Sequence, residues 1–147
     1  LLEQRQVLRK KYAQAFDEGK EDEVDWSEPD QQFLTDAYRQ VELLMREHNV
    51  NVNALADKLC MSVRQLQRRI ASVTDQTPIA FITHVRIKRA KALLREGRSV
   101  ADVAMACGFD EPSNFARTFK KATGFTPTQY MKEKQSAKAS DQQGKDA

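Results

Sequence analysis

Apolar residues recur at intervals of three and four along most of this chain, and no segment sustains the alternation of a strand. The punctuation between the apolar runs is readable. Ser27-Glu28-Pro29 opens a helix with proline in its first turn, and Phe33, Leu34, Ala37, Val41, Leu44 and Met45 hold helical spacing to about His48. Asn51 is placed to cap a short helix carrying Val52, Leu55, Ala56 and Leu59. Ser62-Val63-Arg64-Gln65 has the form of a capping box, in which the two polar side chains satisfy each other's orphan amides. It starts a helix through Val63, Leu66, Ile70 and Val73.

Thr77-Pro78 then opens the longest helix, whose apolar positions (Ile79, Phe81, Ile82, Val85, Ile87, Ala90, Leu93, Leu94) wrap widely, until Gly97 ends it. Ser99 caps another short helix with Val100, Val103, Ala104 and Cys107. Past Gly108 and Pro112 a helix bears Phe115 and Phe119 and stops at Gly124. Thr126-Pro127-Thr128-Gln129 is a second capping box, leading into Tyr130 and Met131. The expected fold is all-α.

Self-similarity organises these elements. VNALADKLCM from Val52 aligns with VADVAMACGF from Val100 at an offset of 48, so Leu55 matches Val103, Ala56 matches Ala104 and Met61 matches Phe109. One extra residue in the second turn moves the offset to 49, and Leu66 then matches Phe115, Arg68 matches Arg117, Ile70 matches Phe119 and Thr74 matches Thr123. Each copy reads as a short helix, a tight turn and a second capped helix, which is helix-turn-helix order. Ala56 and Ala104 suit a close crossing of two helix backbones, and Gly108 suits a turn that needs positive φ.

At 100° per residue, Val63, Ile70 and Val73 fall within about 60° of Leu66 and form a face to be buried. Arg64 and Arg68 point the other way, flanked by Gln67. In the second copy Ser113, Arg117 and Lys120 take the outward face, flanked by Ala116 and Lys121. Arginine donating two bonds to guanine and glutamine pairing with adenine are what a major groove accepts from a reading helix. Lys120 and Lys121, near the helix end, suit phosphates. Ala116 stands where the first copy has Gln67, so the second copy is expected to position more than it reads. The helix of about 78–96 would be about 28 Å long at 1.5 Å per residue. That is near the roughly 34 Å between half-sites on one face of a duplex.

Charge is distributed to match. The 147 residues carry a formal net charge of only +3, yet nine basic residues lie between Ser62 and Ser99 against Asp75 and Glu96 alone. Between Asp17 and Asp30 eight acidic residues face only Lys20. A polyanion-binding face beside an acidic linker fits this segregation. The hydrophobic fraction of 40% suffices for a core, and no run is long and apolar enough to span a bilayer, so no membrane contact is expected of this segment. Residues 1–16 pattern as an amphipathic helix (Leu1, Leu8, Tyr12, Phe16), 17–25 as an acidic linker, and 136–147 as a disordered polar tail. The chain opens on Leu1 and not Met, as a piece of a longer protein would. Cys60 and Cys107 read as two buried thiols of a reducing, cytoplasmic protein. Met45, Met61, Met105 and Met131 read as core. His48 falls in a last helical turn and His84 on the long helix, with no ligand or triad partners in the pattern. An enzyme, a metal site and a cofactor are therefore not expected.

The run from about Asp30 to Lys134 resembles the DNA-binding domain of the AraC/XylS family of bacterial transcription regulators. The matching stretches are Leu55 to Arg69, ITHVRIKRAKALL, and above all VADVAMACGFDEPSNFARTFKKATGFTPTQY. The resemblance implies a seven-helix domain over 26–135, with helix-turn-helix units near 52–74 and 100–123 joined by the central helix. It implies binding of promoter DNA in two adjacent major grooves without a cofactor, and RNA polymerase as a partner. By position it assigns base-facing roles to Arg64, Gln67, Arg68, Ser113, Asn114 and Arg117. Pro112 departs from the polar type of other members, so no contact is assigned there. LLEQRQVLRKKY is similar to the connector preceding this domain in response regulators and hybrid sensors of two-component systems. The competing reading is a helical interaction module that dimerises through residues 1–16 and binds DNA weakly.

Overall fold

The computed structural model describes residues 28–134, all of whose regular elements are helical. The amphipathic segment 1–16, the acidic linker and the 136–147 tail fall outside these residues. Seven helices occur among the described residues: α1 (Glu28–Arg46), α2 (Val52–Lys58), α3 (Val63–Thr74), α4 (Pro78–Arg95), α5 (Val100–Ala106), α6 (Pro112–Thr123) and α7, helical over 127–134. They group into two compact units. Among the described residues the first takes Glu28–Leu44 together with Asn49–Val85, the second Met45–His48 together with Arg86–Lys134.

Caps set the helix starts where the polar residues precede the apolar runs. The Asn51 side chain accepts from the Ala54 amide at 2.8 Å, and Ser99 Oγ accepts from the Asp102 amide at 3.2 Å. Ser62 and Gln65 form the reciprocal box at 3.1 and 2.9 Å, and Thr126 and Gln129 repeat it at 3.1 and 3.0 Å. Each such cap contributes about 1 kcal/mol to the helix it opens.

In the first unit Leu55, Leu66, Ile70, Val73 and Phe81 are fully buried or nearly so, and Tyr38 meets Phe81 edge-on at 5.3 Å between ring centres. The second unit is built on an aromatic row, Phe109–Phe115–Phe119–Tyr130, with successive ring centres 5.3, 5.7 and 5.5 Å apart. Ala56 and Ala104 are both buried at the helix crossings, as small residues there must be.

The repeat is longer than the helix-turn-helix pairs. The end of α1, where the amides of His48 and Asn49 donate to Met45 and Leu44, is copied at the end of α4, where Gly97 and Arg98 donate to Leu94 and Leu93. Each turn between the short helix and the longer one after it is also copied: Cys60 to Asp57 and Met61 to Ala56 in one, Gly108 to Met105 and Phe109 to Ala104 in the other. Thr74 and Thr123 each turn their hydroxyl back to the carbonyl four residues earlier, both at 2.8 Å. The repeat is thus a three-helix one, α1-α2-α3 and then α4-α5-α6, and its boundary does not coincide with that of the compact units, which divides α4. Three left-handed backbone positions punctuate each copy: His48, Cys60 and Asp75 in the first (φ 54, 58 and 59°), Gly97, Gly108 and Gly124 in the second (φ 88, 80 and 83°).

Several sequence expectations need correction. Cys60 is exposed, because it occupies the left-handed position of the turn and not a helical face; Cys107 alone is the buried thiol. Met105 is 64% exposed on α5, whose core positions are already filled by Val103 and Ala104. Ile79, in the first turn of α4, is 68% exposed, at the place in the repeat where α1 carries the polar Asp30. Val63 is only partly buried, because it lies at the start of α3. His48 lies beyond α1 in the capping turn.

Candidate nucleic-acid interface

Helices α3 and α6 each have twelve residues and a sharply divided surface. Leu66, Ile70, Val73 and Thr74 turn the inner face of α3 to its own unit, and Phe115 and Phe119 do the same for α6. All eight side chains expected to meet DNA are exposed: Arg64, Gln67 and Arg68 on α3, and Ser113, Asn114, Arg117, Lys120 and Lys121 on α6. Arg64, Gln67 and Arg68 share one surface strip, since positions three and four apart on a helix are neighbours. On α6 the Arg117 guanidinium donates to Oδ1 of Asn114 one turn earlier, so these two act as a pair. Lys120 and Lys121 lie in the last turn, where cations also offset the helix dipole.

The helix starts differ. Ser62 covers the first amides of α3 with its side chain, whereas Glu111 at the equivalent place on α6 makes no side-chain cap and Pro112 follows it.

Not all of the basic stretch is available to a polyanion. Arg69, next to the outward Arg68, turns inward: it pairs with Asp30 at 3.0 Å, donates to the Pro29 carbonyl at 3.4 Å, and lies 5.1 Å from the centre of the Phe33 ring. Arg86, on α4, donates through Nε to the Cys107 carbonyl at 3.0 Å and stacks 3.6 Å over the Phe109 ring. Burial lowers the pKa of Arg86 against the raising effect of Cys107 and Asp110. Burial also pushes the Cys107 thiol up to about 11, outweighing nearby Arg86 and Arg89. By sequence alone both arginines count as surface charge. Their inward roles depend on partners 21 to 40 residues away, which helical periodicity does not register.

No group of three or more His, Cys, Asp or Glu side chains able to hold a metal occurs among the described residues, nor does any helix long and apolar enough to cross a membrane.

Comparison with known proteins gives this surface a context. The profile of the helix-turn-helix domain family matches residues 55–133. A protein named histidine kinase P4 from Formosa agariphila is 32% identical over 132 residues, which is 89% of this chain and 10% of that protein. The HTH-type transcriptional activator RhaS of Escherichia coli is 34% identical over 79 residues, 53% of this chain and 28% of RhaS. This chain therefore spans only a small part of these relatives. Among solved structures, an AraC-type transcriptional regulator from Chromobacterium violaceum aligns with a TM-score of 0.63 at 25% identity, over 74% of this chain and 96% of that one. The DNA-binding domain of AdpA, solved in complex with a target DNA, aligns with a TM-score of 0.58 at 29% identity, over 69% of this chain and 96% of that one.

Proposed function

This chain belongs to the AraC/XylS family of helix-turn-helix DNA-binding domains, and from that premise we propose that α3 and α6 enter two adjacent major grooves of a bacterial promoter. Sequence-specific binding of double-stranded DNA by a transcription regulator is the activity the family carries. The observation that supports the two-groove form of it is the repeat, each copy holding an exposed arginine at the same place on its last helix: Arg68 and Arg117.

In this reading Arg64, Gln67 and Arg68 read base edges from the first unit. Arg117, Asn114 and Ser113 do so from the second, and Lys120 and Lys121 hold phosphates. The chain works by binding and not by catalysis, in the cytoplasm where its DNA is. Its similarity to a histidine kinase over 89% of its length supports placing it as the output segment of a two-component regulator. RNA polymerase contact and homodimerisation through residues 1–16 complete the proposal. The first follows from the family and from RhaS being an activator, the second from the amphipathic pattern of that segment.

The test is selection of a binding site from random duplexes, followed by titration of Arg68→Ala and Arg117→Ala on the selected site. Arg68→Ala should lose about 1–3 kcal/mol and relax preference at one base pair. An equal loss on unrelated DNA would make Arg68 a phosphate contact and remove it from the reading set.

A further inference from the structure

We propose that Arg69 and Arg86 are positioning residues, each locking one helix-turn-helix unit in its reading posture without touching DNA, so that the two half-sites are set independently. This rests on the two-groove reading above.

The repeat makes the case, because the two locks lie at non-equivalent places on equivalent scaffolds. In the first unit Arg69 reaches from α3 to the first turn of α1, engaging Asp30, the Pro29 carbonyl and the Phe33 ring. At an offset of 49 the second copy of the repeat has Thr118 in place of Arg69 and Ile79 in place of Asp30, so this lock has no counterpart there. In the second unit Arg86 reaches from α4 to the turn before α6, binding the Cys107 carbonyl and covering Phe109. The matching residue of the first unit is Ala37, which is fully buried and carries no polar group. Shared ancestry of the scaffold explains neither arginine.

Each lock also ends on the element that aims a recognition helix. Arg69 follows Arg68 directly in the chain, so fixing its guanidinium to α1 fixes the roll of α3 about its axis and with it the direction of Arg68. Phe109, stacked under Arg86, packs onto Phe115 of α6 at 5.3 Å, so the guanidinium clamps the turn and the start of α6 together. A guanidinium is suited to this because it donates in its plane while stacking on its face, which an ammonium cannot do. Both charges are engaged inside their own units, which leaves the exposed arginines to the DNA.

Anisotropy titration of the whole chain decides it, using three duplexes: the selected site, and the same site with either half scrambled. The half belonging to the first unit is the one whose scrambling makes Arg68→Ala silent. Arg86→Ala should weaken binding roughly tenfold, the scale of one charged hydrogen bond, on the intact site and where only the second half remains. It should match wild type where only the first half remains. Arg69→Ala should give the mirror pattern. Arg86→Lys and Arg69→Lys keep the charge and most of the stem; they should show the same half-site pattern at smaller size and serve if an alanine variant does not fold. A uniform loss on all three duplexes, or no loss on any, overturns the proposal. Wild-type binding indifferent to scrambling either half overturns the two-groove reading itself and this inference with it.

Discussion

Cys60→Gly should make the protein more stable. Cys60 holds φ at +58° in the turn of the first unit, the place Gly108 occupies in the second with φ +80°. A left-handed backbone costs an L residue roughly 1–2 kcal/mol, and glycine gives back roughly 0.5–1 kcal/mol through its freedom in the unfolded chain. Since the Cys60 side chain is exposed, its removal leaves no cavity. The net gain is then about 0.5–1 kcal/mol, or about 2–8 °C in melting temperature for a unit of this size. The reciprocal change isolates the backbone effect. At Gly97, with φ +88°, an added Cβ would meet nothing within 4 Å, so Gly97→Ala carries strain without a clash and should lose a similar amount. Thermal and urea melts followed by circular dichroism measure both. A destabilised Cys60→Gly, or an unaffected Gly97→Ala, would refute the assignment of these positions as strained turns.

A thiol reagent at neutral pH should modify Cys60 quickly and Cys107 only on unfolding. Because folding raises the Cys107 pKa from 9.0 to about 11, its contribution to stability is intact below pH 9 and declines as pH rises toward 11; a melting temperature that climbs over this range in Cys60→Gly protein would contradict the burial argument. Lys121→Ala should weaken binding to all DNA alike and reduce the salt slope by about one unit, whereas a sequence-selective effect would move Lys121 into the base-reading set.

Local signals carried most of the fold into the sequence. Asn51, Ser62, Ser99 and Thr126 precede apolar runs and cap the helices that follow, because a side-chain oxygen near an orphan amide acts over three residues. The repeat was legible from Val52 onward through its core positions. Its first helix was not, since α1 and α4 share a left-handed cap and burial pattern but few identical residues: His48 stands against Gly97, and Ala37 against Arg86. The outward arginines were legible because a helix wheel separates faces. Arg69 and Arg86 were not, because a wheel says which way a side chain leaves its helix and nothing of the ring or carboxylate waiting there. Cys60 and Met105 depart from the pattern for a related reason, as apolar spacing continues through a turn or over a filled face without burying what it marks.

Hydroxyl-radical footprinting of the whole chain on its selected duplex probes the central claim most directly. Two protected patches about one helical turn (roughly 10 base pairs) apart on a single face are expected, the first lost with Arg68→Ala and the second with Arg117→Ala. A single patch, or one that both substitutions erase together, would contradict a pair of independently reading helices.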